Sequence, residues 1–193
     1  MSATTASRIL DYVKDQSPTF VSLTKALVEA ESPSAEPESH DEVRRVLRLA
    51  LAGVGYDSRE SGVLNKPRHV FAVPANRPKR SRSQLLLGHY DTVWPVGTLN
   101  DRPFAVDGNV IHGPGTFDMK AGLAQIVVAL GAIRDLDLKT PVVPIVFVNA
   151  DEEIGSRTST RYCLLYTSPS PRDCNEYLVC RLLLEKGGGG GGG

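Results

Sequence analysis

The chain predicts an α/β layer fold, and three observations carry that reading. Helical periodicity alternates with short apolar, β-branched runs along residues 7–161. One run, residues 84–88, holds Leu85, Leu86 and Leu87 in succession, as expected for a strand buried on both faces. The clearest helical pattern precedes a second apolar run at residues 142–148, so helix again feeds strand.

Residues 7–30 place Ile9, Leu10, Val13, Phe20, Leu23 and Leu27 on a helical stripe. Ser17-Pro18 interrupts it and suits the start of a second helix, because proline fits a first helical turn. Residues 32–37 are a loop. Residues 41–52 form a second amphipathic pattern, stopped by Gly53 and Gly55. A short strand follows at residues 69–73. Residues 104–106 and 110–111 flank Asp107-Gly108, a hairpin signal. Residues 118–136 carry Leu123, Ile126, Val127, Leu130 and Ile133 at helical spacing.

Lys plus Arg equals Asp plus Glu, at 22 each, which gives no reason to expect nucleic acid or an anionic membrane as partner. Arg77, Lys79, Arg80 and Arg82 cluster, and a solvated loop before a strand accounts for them. No apolar run reads as the roughly 20 residues that cross a bilayer. The first residues lack a basic start followed by an apolar stretch, so no secretory signal is read and a cytoplasmic setting is the default.

Composition shifts near Tyr162. All three cysteines, Cys163, Cys174 and Cys180, lie beyond it, as does the closing glycine run 187–193. Their spacing offers no C-x-x-C pair for zinc. Residues 163–173 and 177–186 look like the in-frame translation of a sequencing adapter and its primer. The expectation is a catalytic-domain portion over residues 1–161 and a disordered, non-native tail over 162–193, with the natural protein continuing differently past Arg161.

Three segments carry candidate chemistry. In Leu85–Thr92, His89 and Asp91 follow a strand and share a side of an extended chain. A carboxylate there can accept the N–H of the imidazole nitrogen that faces away from a metal, fixing the tautomer. In Gly113-Pro114-Gly115-Thr116-Phe117-Asp118, glycines allow a tight turn and Asp118 falls at a helix start. Asp118 is then either an N-cap or a ligand bridging two metals. The segment lacks the G-K-[ST] ending of a phosphate loop. Asp151-Glu152-Glu153 directly follows an apolar strand. Adjacent side chains of an extended chain point apart, so one glutamate can bind metal while the other reaches its water. All three segments sit at the carboxyl ends of strands, where open α/β sheets place their sites. A donor set of histidine and carboxylates suits zinc, with cobalt or manganese also fitting.

Together, His89-Tyr90-Asp91, Gly113-Pro114-Gly115 with Asp118-Met119-Lys120-Ala121-Gly122, and Asp151-Glu152-Glu153-Ile154-Gly155 resemble the N-terminal motifs of the zinc-dependent exopeptidases related to glutamate carboxypeptidase. Aminoacylases, acetylornithine deacetylase and succinyl-diaminopimelate desuccinylase belong to the same superfamily. The run from His89 to Thr98 looks most similar to the glutamate carboxypeptidase branch. The resemblance implies a three-layer α/β/α catalytic domain, present here as its N-terminal portion. It implies His89 on one zinc, Asp118 bridging two, Glu153 on the second, Asp91 orienting His89, and Glu152 as general base and acid. It also implies a cis peptide after Asp118. The substrate would be a small peptide or an N-acyl amino acid. Two further ligands and a lid or dimerisation domain, through which a longer protein would form a homodimer, are expected downstream and are absent. The chain alone is therefore expected to be inactive.

Rival readings are an N-acyl-amino-acid deacylase of the same superfamily, a non-catalytic α/β module, and a metal-free hydrolase with paired carboxylates. Of the other candidates, His112 is read as packing or surface, His40 and His69 as ordinary exposed residues, and Trp94 as lining a pocket or covering the strand end. No G-x-S-x-G elbow surrounds Ser156 or Ser159.

Overall fold

The computed structural model describes residues 4–61, 67–78, 81–160 and 162. Lys79, Arg80 and the stretch 163–193 that carries the adapter-like sequence lie outside the described residues.

The chain enters through two helices, α1 (Thr5–Asp15) and α2 (Ser17–Glu29). Thr4 caps the first with its side chain, and Pro18 lies in the first turn of the second. Helix α3 (Asp41–Gly53) buries Val43, Leu47 and Leu51 on one face, and Gly55 leaves it at a φ of 86°. Three strands follow, β1 (Tyr56–Ser61), β2 (His69–Pro74) and β3 (Ser83–His89). A small hairpin of β4 (Ala105–Asp107) and β5 (Val110–His112) leads to the irregular turn Thr116–Lys120. Helix α4 (Ala121–Asp135) and strand β6 (Val143–Asn149) complete the described elements.

The main sheet has the order β1-β2-β6-β3. The β1/β2 and β2/β6 pairs are antiparallel, whereas β3 and β6 are parallel. Val70, Ala72, Val146 and Val148 point to one face and join Leu27, Leu47, Leu123 and Leu130 of the helices in one buried cluster. Phe147 is buried on the opposite face, where the His69 ring meets it at 5.7 Å between centroids. The described residues thus supply the sheet and the helical layer on one side of it.

The structure differs from the sequence reading in several places. Strand β1 has Tyr56 as its only large apolar residue, and at the sheet edge it needs no others. The leucine-rich β3 is half-buried, because among the described residues only β6 pairs with it. The interior strand is β6, buried from Ile145 to Asn149. Helix α4 starts at Ala121, and Asp118 (φ −127°, ψ 99°) precedes it in non-helical backbone. Asp118 is therefore not the helix N-cap; the turn spends its backbone elsewhere, with Lys120 N–H donating to Gly115 C=O. Thr116–Asp135 is also 20 residues long with a mean hydropathy of 1.4, enough to pass for a membrane span by length and composition. Here it packs Leu123, Ala124, Val127 and Leu130 into the core.

Candidate metal centre

Parallel pairing of β3 with β6 sets His89 opposite Asn149, so both strands end at one level. Tyr90 N–H donates to Asn149 C=O at 3.1 Å and carries the pairing one residue further. The residues that follow each strand, Asp91 and the 151–153 stretch, therefore leave the sheet side by side.

His89 is buried, and its two ring nitrogens face different groups. Nε2 lies 2.8 Å from Asp118 Oδ1, and Nδ1 lies 3.0 Å from the Asp91 main-chain oxygen. The Asp91 carboxylate stands further from Nδ1, at 3.5 Å. Burial disfavours the imidazolium, but Asp91 and Asp118 outweigh it and push the His89 pKa up to about 9. Asp91 thus meets the His89 ring through its carbonyl more closely than through its carboxylate.

The Asp91 carboxylate has a further task. Oδ1 accepts the N–H of Glu152 at 3.1 Å. Oδ2 accepts the N–H of Glu153 at 3.2 Å and the Ser34 hydroxyl at 2.7 Å. Burial opposes its charge, yet these donors and His89 hold its pKa below the usual value. Ser34 belongs to a loop that reads as plain in sequence; nothing in an isolated Ser-Pro-Ser announces a buried hydroxyl.

Glu152 and Glu153 lie in a turn rather than an extended chain, with Gly155 N–H donating to Glu152 C=O at 2.9 Å. Their side chains still part company: Glu152 is exposed and Glu153 half-buried. Burial, then the charges of Asp118, Asp91 and Glu152, raise the Glu153 pKa, while His89 pulls it down. Asp151, the first acid, is fully buried and structural. Its Oδ2 accepts the Thr158 N–H at 2.6 Å, the Thr158 hydroxyl at 2.7 Å and the Ser159 N–H at 3.2 Å.

Two histidines expected at the surface are fully buried. His69 Nδ1 accepts the Ala150 N–H at 3.2 Å, and its Nε2 contacts the Thr158 hydroxyl at 3.1 Å, so it braces the acidic turn from behind. His40 Nε2 donates to Pro33 C=O at 2.7 Å, and its ring stands edge-on to Tyr90. Lys120 is also buried, donating to Ala30 C=O at 2.8 Å. Burial lowers its pKa to about 7, against the pull of Glu31. Ser156 and Ser159 contact the Asn149 amide at 3.3 and 3.2 Å and serve the turn. Trp94 lines a cleft of about 300 Å³, one of the two places the sequence allowed it, and exposed His112 shares it.

The structure therefore brings His89 and Asp118 into contact and holds Glu152 and Glu153 beside them by their backbone. Among the described residues no group of three His, Cys, Asp or Glu side chains converges closely enough to enclose an ion. In kind, the donors fit a divalent cation: one imidazole nitrogen, an exposed carboxylate at Asp118 and a Glu153 carboxyl crowded by negative neighbours. The Asp118–Met119 peptide is cis, as the resemblance implied.

Residues 85–180 match the model of peptidase family M20/M25/M40. Carboxypeptidase G2 from Pseudomonas sp. (strain RS-16) is 28% identical over 145 residues, covering 74% of this chain and 34% of that protein. Acetylornithine deacetylase from Klebsiella pneumoniae (strain 342) is 34% identical over 169 residues, covering 84% of this chain and 43% of that protein. The chain thus spans less than half the length of these relatives. Among solved structures, human carnosine dipeptidase 1 superposes with a TM-score of 0.66 at 20% identity, over 81% of this chain and 37% of that one. The M20 family metallo-carboxypeptidase Sso-CP2 from Sulfolobus solfataricus does so with a TM-score of 0.57 at 22% identity, over 72% and 31%. These two likenesses bear on the fold.

Proposed function

We propose that this chain, which matches the model of peptidase family M20/M25/M40 over residues 85–180, carries in residues 1–161 the N-terminal portion of the catalytic domain of a metal-dependent amide hydrolase acting on small peptides or N-acyl amino acids. The observation that carries the reading is the junction of two strand ends with the turn before α4: His89 meets Asp118 at 2.8 Å, while Asp91 grips the backbone of Glu152 and Glu153.

His89, Asp118 and Glu153 would hold the metal, which we take to be zinc, two ions in a complete site, with cobalt or manganese as substitutes. Bound metal supplies Lewis acidity and a water acidified toward neutral pH. His89 must give up the proton it shares with Asp118 before it can act as a ligand, so metal affinity rises with pH. Asp91 then holds the His89 ring and the acidic turn in one frame. Glu152, which is exposed, would accept the proton of the attacking water and return it to the leaving amine. A cytoplasmic setting belongs to the same proposal.

The resemblance of residues 89–98 favours a glutamate carboxypeptidase-like exopeptidase. The 34% identity to acetylornithine deacetylase supports a deacylase as the second reading. The test is hydrolysis of dipeptides and N-acetyl amino acids by a protein in which residues 1–161 continue into a full catalytic domain. Activity should vanish on exhaustive chelation and return with zinc, cobalt or manganese. Activity indifferent to chelation would instead support paired carboxylates without metal.

A further inference from the structure

A cleft of about 300 Å³ is lined by Trp94, Arg102, Pro103, His112, Gly113 and Pro114, the last two from the segment that runs on to Asp118. The Arg102 guanidinium lies over the Trp94 ring, 4.9 Å from its centroid. A guanidinium held over an indole by its charge still has N–H groups with which to donate. Among the described residues no acidic side chain pairs with Arg102. His112 is exposed and adds a second donor, and among the described residues no carboxylate is part of the lining. Asp101, next to Arg102, is exposed and outside the cleft.

The cleft is built rather than incidental. Glu31 accepts the N–H of Gly97 at 2.8 Å and of Leu99 at 3.1 Å, fixing the turn between Trp94 and Arg102. Gly97 has a φ of 92°, a conformation that suits glycine. Arg102 N–H donates to Thr98 C=O at 2.9 Å. On the other wall, Thr116 N–H donates to Gly113 C=O at 3.2 Å, tying the cleft to the turn that carries Asp118.

We propose that this cleft is a carboxylate subsite that takes a planar, carboxylate-bearing group of the substrate. The carboxylate meets Arg102 and His112, and the apolar part of the group packs on Trp94, Pro103 and Pro114. Arg presents a fork that matches a carboxylate, and an indole supplies a flat apolar wall. Only the word substrate rests on the amide-hydrolase reading; the binding needs no metal.

Trp94 is the single tryptophan of the chain, so its fluorescence reports on this cleft alone. The experiment titrates benzoate into the full chain in excess EDTA, with benzamide as the neutral isostere. Saturable quenching by benzoate is expected. Benzamide should bind about tenfold more weakly, and Arg102→Gln should weaken benzoate about tenfold while leaving benzamide unchanged, as loss of one charge-assisted pair implies. Arg102→Lys should fall between, and Asp118→Asn should leave benzoate binding unchanged. Circular dichroism of each variant confirms the fold. Equal binding of benzoate and benzamide, or loss of benzoate binding in Asp118→Asn, would overturn the subsite. Benzoate binding in a chain that never binds zinc would uphold the subsite and sink the hydrolase reading. Zinc binding without benzoate binding would do the reverse.

Discussion

The carboxylate of Asp91 accepts the backbone N–H of Glu153 at 3.2 Å, so the segment that leaves one strand holds the acidic turn that leaves its parallel neighbour. The same carboxylate accepts Glu152 N–H and the Ser34 hydroxyl, and all of these are lost together when Asp91 is truncated. Asp91→Ala should destabilise the fold by about 3 kcal/mol, the cost of leaving buried donors without a charged acceptor. Its folded pKa lies below the usual carboxylate value, so its contribution is present above that value and is lost as pH falls through the folded one. Urea unfolding of the two proteins should therefore differ most near neutrality and converge in acid.

His40 supplies a second pH dependence, of known sign. Burial lowers its pKa below 6.5, so the unfolded chain binds the proton more readily than the folded one. Stability tied to neutral His40 is complete above pH 6.5 and is lost as pH falls below it. His40→Gln retains a donor for Pro33 C=O and cannot titrate. The urea midpoint of the wild-type chain should drop between pH 7.5 and 5.5 more than that of His40→Gln. Parallel midpoints across that range would remove His40 from the account.

Gly115 tests whether the turn before Asp118 is as tightly set as its contacts indicate. Its φ is 68°, and a Cβ there would lie 2.6 Å from Thr92 Cγ2. Gly115→Ala should cost about 2–4 kcal/mol, summing a left-handed backbone penalty and overpacking. Thermal unfolding measures the loss. Gly108, with a φ of 55° and nothing within 4 Å of an added Cβ, carries the backbone penalty alone. Gly108→Ala should therefore cost clearly less, and equal losses would mean that Thr92 yields freely.

The strand ends and their order are legible in the sequence because apolar runs and glycine turns are local signals. Those signals are enough to put His89, Asp91, Glu152 and Glu153 just past the ends of β3 and β6; Asp118, read as another strand-end residue, stands instead in the turn before α4. What escapes them is set by tertiary partners. Strand β1 is polar because an edge strand need not be apolar. His40 and His69 look exposed in sequence because burial of a histidine depends on acceptors and donors elsewhere in the fold, Pro33 in one case and Ala150 and Thr158 in the other. Ser34 and Lys120 meet their partners 57 and 90 residues away, beyond the reach of any periodicity. Asp118 resembles an N-cap because a helix does begin nearby, at Ala121 rather than at Asp118 itself.

The central claim is that His89, Asp118 and Glu153 belong to one metal site, and calorimetric titration of zinc into the full chain tests it directly. Binding should be measurable, should strengthen from pH 6 to pH 8 as the proton between His89 and Asp118 is displaced, and should be abolished by Asp118→Ala or His89→Ala. Asp91→Asn should weaken it about 10- to 100-fold, as loss of a supporting partner does. Arg102→Gln should leave it intact. A chain that binds no zinc at either pH, or whose zinc binding is indifferent to Asp118, would contradict the account.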